Sequence, residues 1–144
     1  MAEDEACVQT LLVRDGQVLL MRRQNTGVGD GWWAAPGGCI EAGEDYATAA
    51  IRETAEEVGV TIPLADVDLA AVVRLDSSHD GGARAVYTYC TRSWVGDPVI
   101  NEPHLCSALS WFPFTELPTD TMTSTRLAIE HFSSSQPSDR VDPS

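Results

Sequence analysis

Three glutamates lie within five positions near the middle of the chain, in the stretch RETAEEVG at positions 52–59. If this stretch is helical, Glu53, Glu56 and Glu57 share an arc roughly 100° wide. Like charges at these spacings repel each other and cost about 0.2–0.5 kcal/mol per pair on an isolated helix. Hard divalent cations such as Mg²⁺ are commonly held by a few carboxylates together with substrate phosphates. Cation binding therefore explains the cluster, whereas a solvated acidic surface is the alternative that this stretch alone leaves open.

A single helix over positions 45–59 is predicted to carry these glutamates. Asp45 is a natural N-cap residue and Gly59 a natural C′ residue. At 100° per residue, the small and apolar residues fall on the other face of this helix. They are Ala47, Ala50, Ile51, Thr54 and Val58. The helix is expected to pack with this face and to present its glutamates.

A glycine-rich segment, AAPGGCIEAGE at positions 34–44, precedes the predicted helix. Its composition is typical of a turn or loop. The pair Gly37 and Gly38 lets the backbone approach a neighbouring group closely and could offer a carbonyl oxygen as a cation ligand. The loop and the helix together are therefore expected to form one site.

The 23 residues from Gly38 to Val60 read GCIEAGEDYATAAIRETAEEVGV. This pattern resembles the signature of the Nudix hydrolase superfamily, which is glycine, five residues, glutamate, seven residues, then Arg-Glu-aliphatic-x-Glu-Glu-x-Gly-aliphatic. The matching residues are Gly38, Glu44, Arg52, Glu53, Glu56, Glu57, Gly59 and Val60. Thr54 departs from the pattern, since the family usually has a bulky aliphatic residue there, and this departure concerns packing rather than catalysis.

The resemblance implies a metal-dependent hydrolase of nucleoside diphosphates linked to a further group. Glu53, Glu56 and Glu57 would hold Mg²⁺ or Mn²⁺, with the Gly37 carbonyl as another ligand. Glu56 is favoured as the residue that also orients or deprotonates the attacking water, and Glu53 is its rival. The implied fold is an α/β/α sandwich.

Four further positions take supporting roles from the same resemblance. Arg52 and Glu44 match positions that form a salt bridge between loop and helix. Gly38 likewise matches a position that supports the structure of the site. Glu102 lies in the region from which relatives supply an extra glutamate to the metal site. An ordinary loop acid beside Pro103 is the equal alternative for Glu102.

The remaining sequence predicts an α+β domain with a mixed β-sheet between helices, because strands and helices do not alternate regularly. Predicted strands cover 7–13, 17–23, 67–75, 83–94 and 107–114, and a second helix covers 121–132. Arg14-Asp15-Gly16 joins the first two strands, and Asp-Gly is a strong hairpin signal. A single domain is expected over residues 1–132, followed by a disordered polar tail over 133–144.

The whole-chain composition narrows the classes of partner. Twenty-two acidic against nine basic residues give a formal charge of −13, which disfavours duplex nucleic acid and anionic membranes as partners. No run approaches the roughly eighteen apolar residues of a membrane span, and no signal-peptide pattern opens the sequence. The four cysteines lack the close paired spacing of a zinc site. These features predict a cytoplasmic protein with reduced thiols that acts as a monomer or homodimer on a small molecule.

The expected reaction is cleavage of a nucleoside triphosphate to the monophosphate and pyrophosphate. Segments 25–38 and 101–118 resemble the sub-group of the superfamily that acts on such triphosphates. A nucleotide sugar, ADP-ribose or another diphosphate conjugate is the alternative substrate, and a non-catalytic nucleotide sensor is the alternative class. Trp32 and Trp33 are candidates for stacking on a base, and Arg22 is a candidate for a phosphate contact.

Overall fold

The computed structural model describes residues 5–79 and 82–135. A mixed seven-stranded sheet lies with two helices packed against it, in agreement with the predicted α+β class. The strands are β1 (Glu5–Arg14), β2 (Gln17–Arg23), β3 (Trp33–Ala34), β4 (Gly37–Cys39), β5 (Asp68–Leu75), β6 (Arg84–Thr91) and β7 (Cys106–Pro113). The helices are α1 (Tyr46–Val58) and α2 (Thr123–Ser134), and a short 3₁₀ turn covers Leu64–Asp66.

Strand β1 is the centre of the sheet. It pairs in parallel with β6 and in antiparallel fashion with β4, and its last two residues pair with β2. The turn between β1 and β2 has φ of 54° at Asp15 and 74° at Gly16. Positive φ at both central residues is the requirement of a type I′ hairpin turn, so the predicted hairpin is confirmed.

Neighbouring residues of β1 show that the helices cover opposite faces of the sheet. Gln9 Nε2 donates to the carbonyl oxygen of Ser124 in α2, whereas Thr10 Oγ1 donates to the carbonyl oxygen of Ala50 in α1. Successive side chains of a strand point to opposite faces. The core follows the same alternation, since Leu12 packs with α1 and Leu11 with α2. The structure therefore confirms the α/β/α sandwich.

Helix α1 lies where the sequence predicted it. Gly59 follows it with φ 74° and donates its N–H to the carbonyl oxygen of Ala55. Asp45 occupies the N-cap position, but its carboxylate accepts from the Thr48 hydroxyl instead of capping a backbone N–H. Thr54 is fully buried, and its hydroxyl donates to the Ala50 carbonyl at 2.7 Å. The departure from the signature at Thr54 thus leaves no unsatisfied hydroxyl in the core.

Several boundaries differ from prediction. Strand β6 ends at Thr91 rather than 94, and α2 runs to Ser134 rather than 132. Residues 136–144 of the predicted tail lie outside the described residues. Strands β3 and β4 were not predicted, because two or three residues are too few to show a strand pattern, and two of the three in β4 are glycine. Neither described helix is long and apolar enough to cross a membrane.

Candidate active site

Two glutamates of α1 contact the glycine loop at strand β4. The Gly37 N–H donates to Glu57 Oε1 at 2.8 Å. A methyl group added at Gly38 would lie only 2.7 Å from the Glu53 carboxylate, so a bare glycine backbone is needed for this approach. The glycine loop and helix α1 are therefore in direct contact, as the predicted site requires.

Burial makes the two carboxyl groups at this point harder to ionise. Desolvation raises the pKa of Glu57 to about 8, although the hydrogen bond from the Gly37 N–H opposes the increase. Desolvation also raises the pKa of Glu53, against the opposing charge of Arg52. A bound cation would favour the ionised form of both groups.

Glu56 is placed differently from the other two glutamates. Its side chain is 50% exposed and accepts from Arg52 Nη1 at 3.2 Å. The same nitrogen donates to Glu53 Oε2, also at 3.2 Å. The Arg52 guanidinium therefore acts as a counterion between two of the three carboxylates. Glu56 must rotate to join the others around a single cation, and its exposure leaves it free to do so.

Arg52 also ties the loop to the helix through Glu44. Its Nε and Nη2 donate to the two carboxylate oxygens of Glu44 at 2.7 and 3.0 Å, a bidentate contact that lysine could not reproduce. Glu44 Oε1 in addition accepts from the Glu41 backbone N–H. These hydrogen bonds, led by that from Arg52, lower the pKa of Glu44. The structure contains the ion pair that the family resemblance implies.

Glu102 lies close to the C-terminal end of α1. The preceding residue, Asn101, donates its backbone N–H to the Glu57 carbonyl and its Nδ2 to the Glu56 carbonyl. The charge of Glu102 is near enough to raise the pKa of Glu57. The candidate ligands are thus all oxygen donors, which is the set that Mg²⁺ and Mn²⁺ prefer.

A cavity of about 270 Å³ opens beside the two loop glycines. Arg23 and Arg84 line it and supply positive charge next to the acidic site. Gln9 also lines it and is held by three hydrogen bonds, to Thr88 Oγ1 at 2.9 Å, to the Ser124 carbonyl at 3.2 Å and from Thr125 Oγ1 at 2.8 Å. The cavity combines cations with polar groups, as an anionic, partly polar ligand requires.

The structure places the three predicted substrate contacts in different surroundings. The Trp33 ring packs edge-on against Phe112 with centroids 4.9 Å apart, within the core. Trp32 is 41% exposed and lines a smaller cavity. Arg22 is exposed, and its Nε donates to the Gly31 carbonyl. Its neighbour Arg23, which was not predicted as a substrate contact, lines the cavity of about 270 Å³ instead. The pairing of β2 with β7 shifts register between Arg22 and Arg23, so the regular alternation of a strand does not predict which of the two lines the cavity.

Alanine substitutions at Gly37 and Gly38 are expected to distinguish an effect on stability from an effect on the active site. In Gly38→Ala the new methyl meets the end of the movable Glu53 side chain, so the fold is expected to survive while Glu53 is displaced. Displacements of about 1 Å can reduce activity about 100-fold. In Gly37→Ala the methyl would lie 2.1 Å from the Val8 carbonyl oxygen in β1, and overpacking of this kind costs about 1–3 kcal/mol or more.

Thermal unfolding and hydrolysis rates of both variants test this assignment. The expected pattern is a near-normal melting temperature with low activity for Gly38→Ala, and a lowered melting temperature for Gly37→Ala. Full activity in a well-folded Gly38→Ala variant would contradict the placement of Glu53 in the site.

Comparison with known proteins identifies relatives of this chain. A model of the NUDIX domain matches residues 4–132. An uncharacterized Nudix hydrolase, YvcI of Bacillus subtilis (strain 168), is 32% identical over 91 residues, which are 62% of this chain and 54% of that protein. The chain thus spans about half the length of this relative.

Solved structures share the architecture. The crystal structure of a MutT NUDIX hydrolase from Burkholderia pseudomallei superposes with a TM-score of 0.83 at 29% identity, and the match covers 90% of this chain and 98% of that one. A bifunctional NMN adenylyltransferase/ADP ribose pyrophosphatase from Francisella tularensis, solved with AMP and a Mn ion, has a TM-score of 0.73 at 19% identity. That match covers 93% of this chain and 42% of the other, and it shows a shared fold.

Proposed function

Since the chain belongs to the Nudix family, we propose that it is a pyrophosphohydrolase that cleaves a diphosphate linkage in a nucleotide. The observation that carries the proposal is the pair of partly buried carboxyl groups, Glu53 and Glu57, held against the Gly37-Gly38 backbone. Both have raised pKa values, so local stability gains nothing from their ionised forms. Perturbed carboxyl groups beside a cavity are typical of functional sites.

Glu53, Glu56 and Glu57 would hold Mg²⁺ or Mn²⁺, with the Gly37 carbonyl and Glu102 as further ligands. When bound, such a cation neutralises non-bridging phosphate oxygens and stabilises the leaving phosphate. Arg23 and Arg84 would orient the anionic substrate in the cavity that they line. The bidentate contact of Arg52 with Glu44 would keep loop and helix in register.

Glu56 would orient or deprotonate the attacking water. This role is supported by the exposure of the Glu56 side chain. Once its hydrogen bonds to Arg52 break, the Glu56 carboxylate can reach a water molecule in solvent. Glu53 is enclosed by Gly38 and Arg52 and has less freedom to move. Removal of a general base typically costs about 10²–10⁴-fold in rate. An unchanged rate of pyrophosphate release in Glu56→Gln would remove this role from Glu56.

The substrate that we favour is a nucleoside triphosphate, which would yield the monophosphate and pyrophosphate. The support is the resemblance of segments 25–38 and 101–118 to the sub-group of the superfamily that acts on such triphosphates. The Francisella tularensis protein, described as an ADP ribose pyrophosphatase, favours a diphosphate conjugate as the second candidate. A nucleotide sensor without catalysis would have no use for two carboxyl groups set against the glycine loop with a third, exposed one beside them.

Product analysis separates these possibilities. The protein is incubated with Mg²⁺ and a panel of nucleoside triphosphates, nucleotide sugars and ADP-ribose, and the products are identified by chromatography. Pyrophosphate with a nucleoside monophosphate supports the favoured substrate, and two phosphorylated organic products support a conjugate. Tight binding without cleavage of any compound would instead support the sensor.

A further inference from the structure

Two cysteines that are 32 positions apart in the sequence contact each other beside the active-site cavity. Cys7 in β1 and Cys39 in β4 are directly opposed in the antiparallel pairing, and their Sγ atoms lie 3.2 Å apart. The Ile40 N–H donates to the Ala6 carbonyl one position along. The cysteines therefore occupy the non-hydrogen-bonded type of pair, in which side chains on opposed strands are closest.

A third donor completes the group. The carboxylate of Glu5, two residues before Cys7 and on the same face of β1, has an oxygen within 4.8 Å of both sulfurs. Among residues 5–79 and 82–135, this is the one place where three cysteine, histidine or acidic side chains converge so closely. All three residues line the larger cavity, so the group is accessible to an ion from solvent.

We propose that Glu5, Cys7 and Cys39 form a binding site for a thiophilic divalent cation of the Zn²⁺ type. Three protein ligands with one position open to solvent is a common arrangement for zinc outside purely structural sites. Two sulfurs and one carboxylate form a donor set that selects soft or borderline metals over Mg²⁺. Binding displaces the two thiol protons to solvent as two Zn–S bonds form, with no change of oxidation state.

The geometry needs only a small adjustment. Zn–S bonds of about 2.3 Å at a tetrahedral angle place two sulfurs about 3.8 Å apart. The sulfurs now lie 3.2 Å apart, so they must separate by roughly half an ångström. Cys7 is 8% exposed and fixed by its surroundings, whereas Cys39 is exposed and can rotate. The adjustment therefore falls on Cys39.

This site is distinct from the carboxylate site on α1. Cys7 packs in the apolar cluster that includes Ala128 of α2, whereas Gly38 turns its open side towards Glu53 of α1. The Glu53 carboxylate thus approaches β4 from the α1 face of the sheet, whereas the cysteine sulfurs lie on the α2 face, where they line the cavity proposed for the substrate. One has sulfur donors and the other has only oxygen donors, so different metals are expected to fill them.

Titration of the reduced, full-length protein with Co²⁺ tests the proposal without any substrate. Co²⁺ replaces Zn²⁺ in thiolate sites and gives an intense sulfur-to-cobalt charge-transfer band in the near ultraviolet, which oxygen ligands do not give. We expect this band to saturate at one equivalent and to disappear when Zn²⁺ is added. Glu57→Gln is expected to keep the band, since it changes only the carboxylate site.

Single substitutions identify the ligands. Cys7→Ser and Cys39→Ser are each expected to weaken binding by about 100-fold or more, since even changes outside the ligand shell cost about 10–100-fold. Glu5→Gln is expected to weaken it less and to leave the charge-transfer band. Cys90→Ser is the matched control, because that free cysteine lies outside the cluster. Circular dichroism confirms that each variant is folded.

Two results would overturn the proposal. The first is the absence of a charge-transfer band in the folded, reduced wild-type protein. The second is a band of equal strength in folded Cys39→Ser, which would place the sulfur ligand elsewhere. If the wild-type thiols instead form a disulfide under mild oxidant and bind no Co²⁺ when reduced, the pair is a redox element and not a metal site.

Discussion

Glu57→Gln is expected to lower the rate of diphosphate hydrolysis about a thousandfold and to make the cation-free protein more stable. A cation ligand supplies several kcal/mol of transition-state stabilisation, and about 4 kcal/mol corresponds to a factor of about 10³. The glutamine keeps an oxygen that can accept from the Gly37 N–H, so the loop contact survives. It removes a buried carboxyl group that must take up a proton on folding at neutral pH, because desolvation raises its pKa to about 8. Activity and stability therefore change in opposite directions.

Steady-state hydrolysis assays and urea denaturation in a chelator measure the two effects. Glu41→Gln is the matched control, because this side chain is 71% exposed and lies 3.7 Å from Arg52, on the outside of the site. It is expected to change both quantities little. A Glu57→Gln protein that is folded and fully active would refute the role of Glu57, and a large loss of stability would refute the account of its charge.

The cation-free protein is also expected to lose stability as the pH rises from about 5 to about 9. Burial raises the pKa of Glu57 from 4.5 to about 8 in the folded state. Below about pH 4.5 the group is protonated in both states, so its contribution is fully present. Between the two pKa values the unfolded chain releases the proton and the folded chain keeps it, and the free energy of unfolding falls. The total change for Glu57 is on the order of a few kcal/mol, and Glu53 adds to it in the same direction.

Urea titrations at several pH values, with chelator and then with excess Mg²⁺, check this expectation. Mg²⁺ binds the ionised carboxylates, so it should stabilise the protein more at high pH than at low pH and flatten the curve. In Glu57→Gln the decrease in chelator should be much smaller. Groups with lowered pKa values, such as Glu44 and Asp76, act only near or below pH 4 and do not interfere. A curve in chelator that rises over this range would contradict the expectation.

Local sequence patterns were sufficient to predict the hairpin and the helix that position the site. Asp15-Gly16 sets the first hairpin, because both positions need positive φ. Helix α1 follows from its apolar face and from Gly59, which adopts the left-handed conformation at its end. The spacing of the glutamates on that helix is a local property as well. Hence the contact between α1 and the glycine loop could be expected from the sequence.

Features that depend on tertiary pairing could not be predicted in this way. The sequence separates Cys7 from Cys39 by 32 positions, and only the pairing of β1 with the very short β4 brings them into contact. Arg23 lines the cavity, at a point where a register shift interrupts the regular alternation of β2. The position of Arg52 between Glu53 and Glu56 depends on which partners its side chain reaches. Each of these contacts is decided by strand pairing or side-chain choice, not by local propensity.

The central position of β1 has a consequence for how the chain folds. Its parallel partner β6 lies 79 positions further along, as the Gln9–Thr88 contact shows. Closing so long a loop costs entropy before the pairing repays it, so formation of the sheet is expected to be slow compared with that of the hairpin. During synthesis, β1 must wait with one edge unpaired until β6 has emerged. The apolar strand that organises the native sheet is then the segment most exposed to association with other nascent chains.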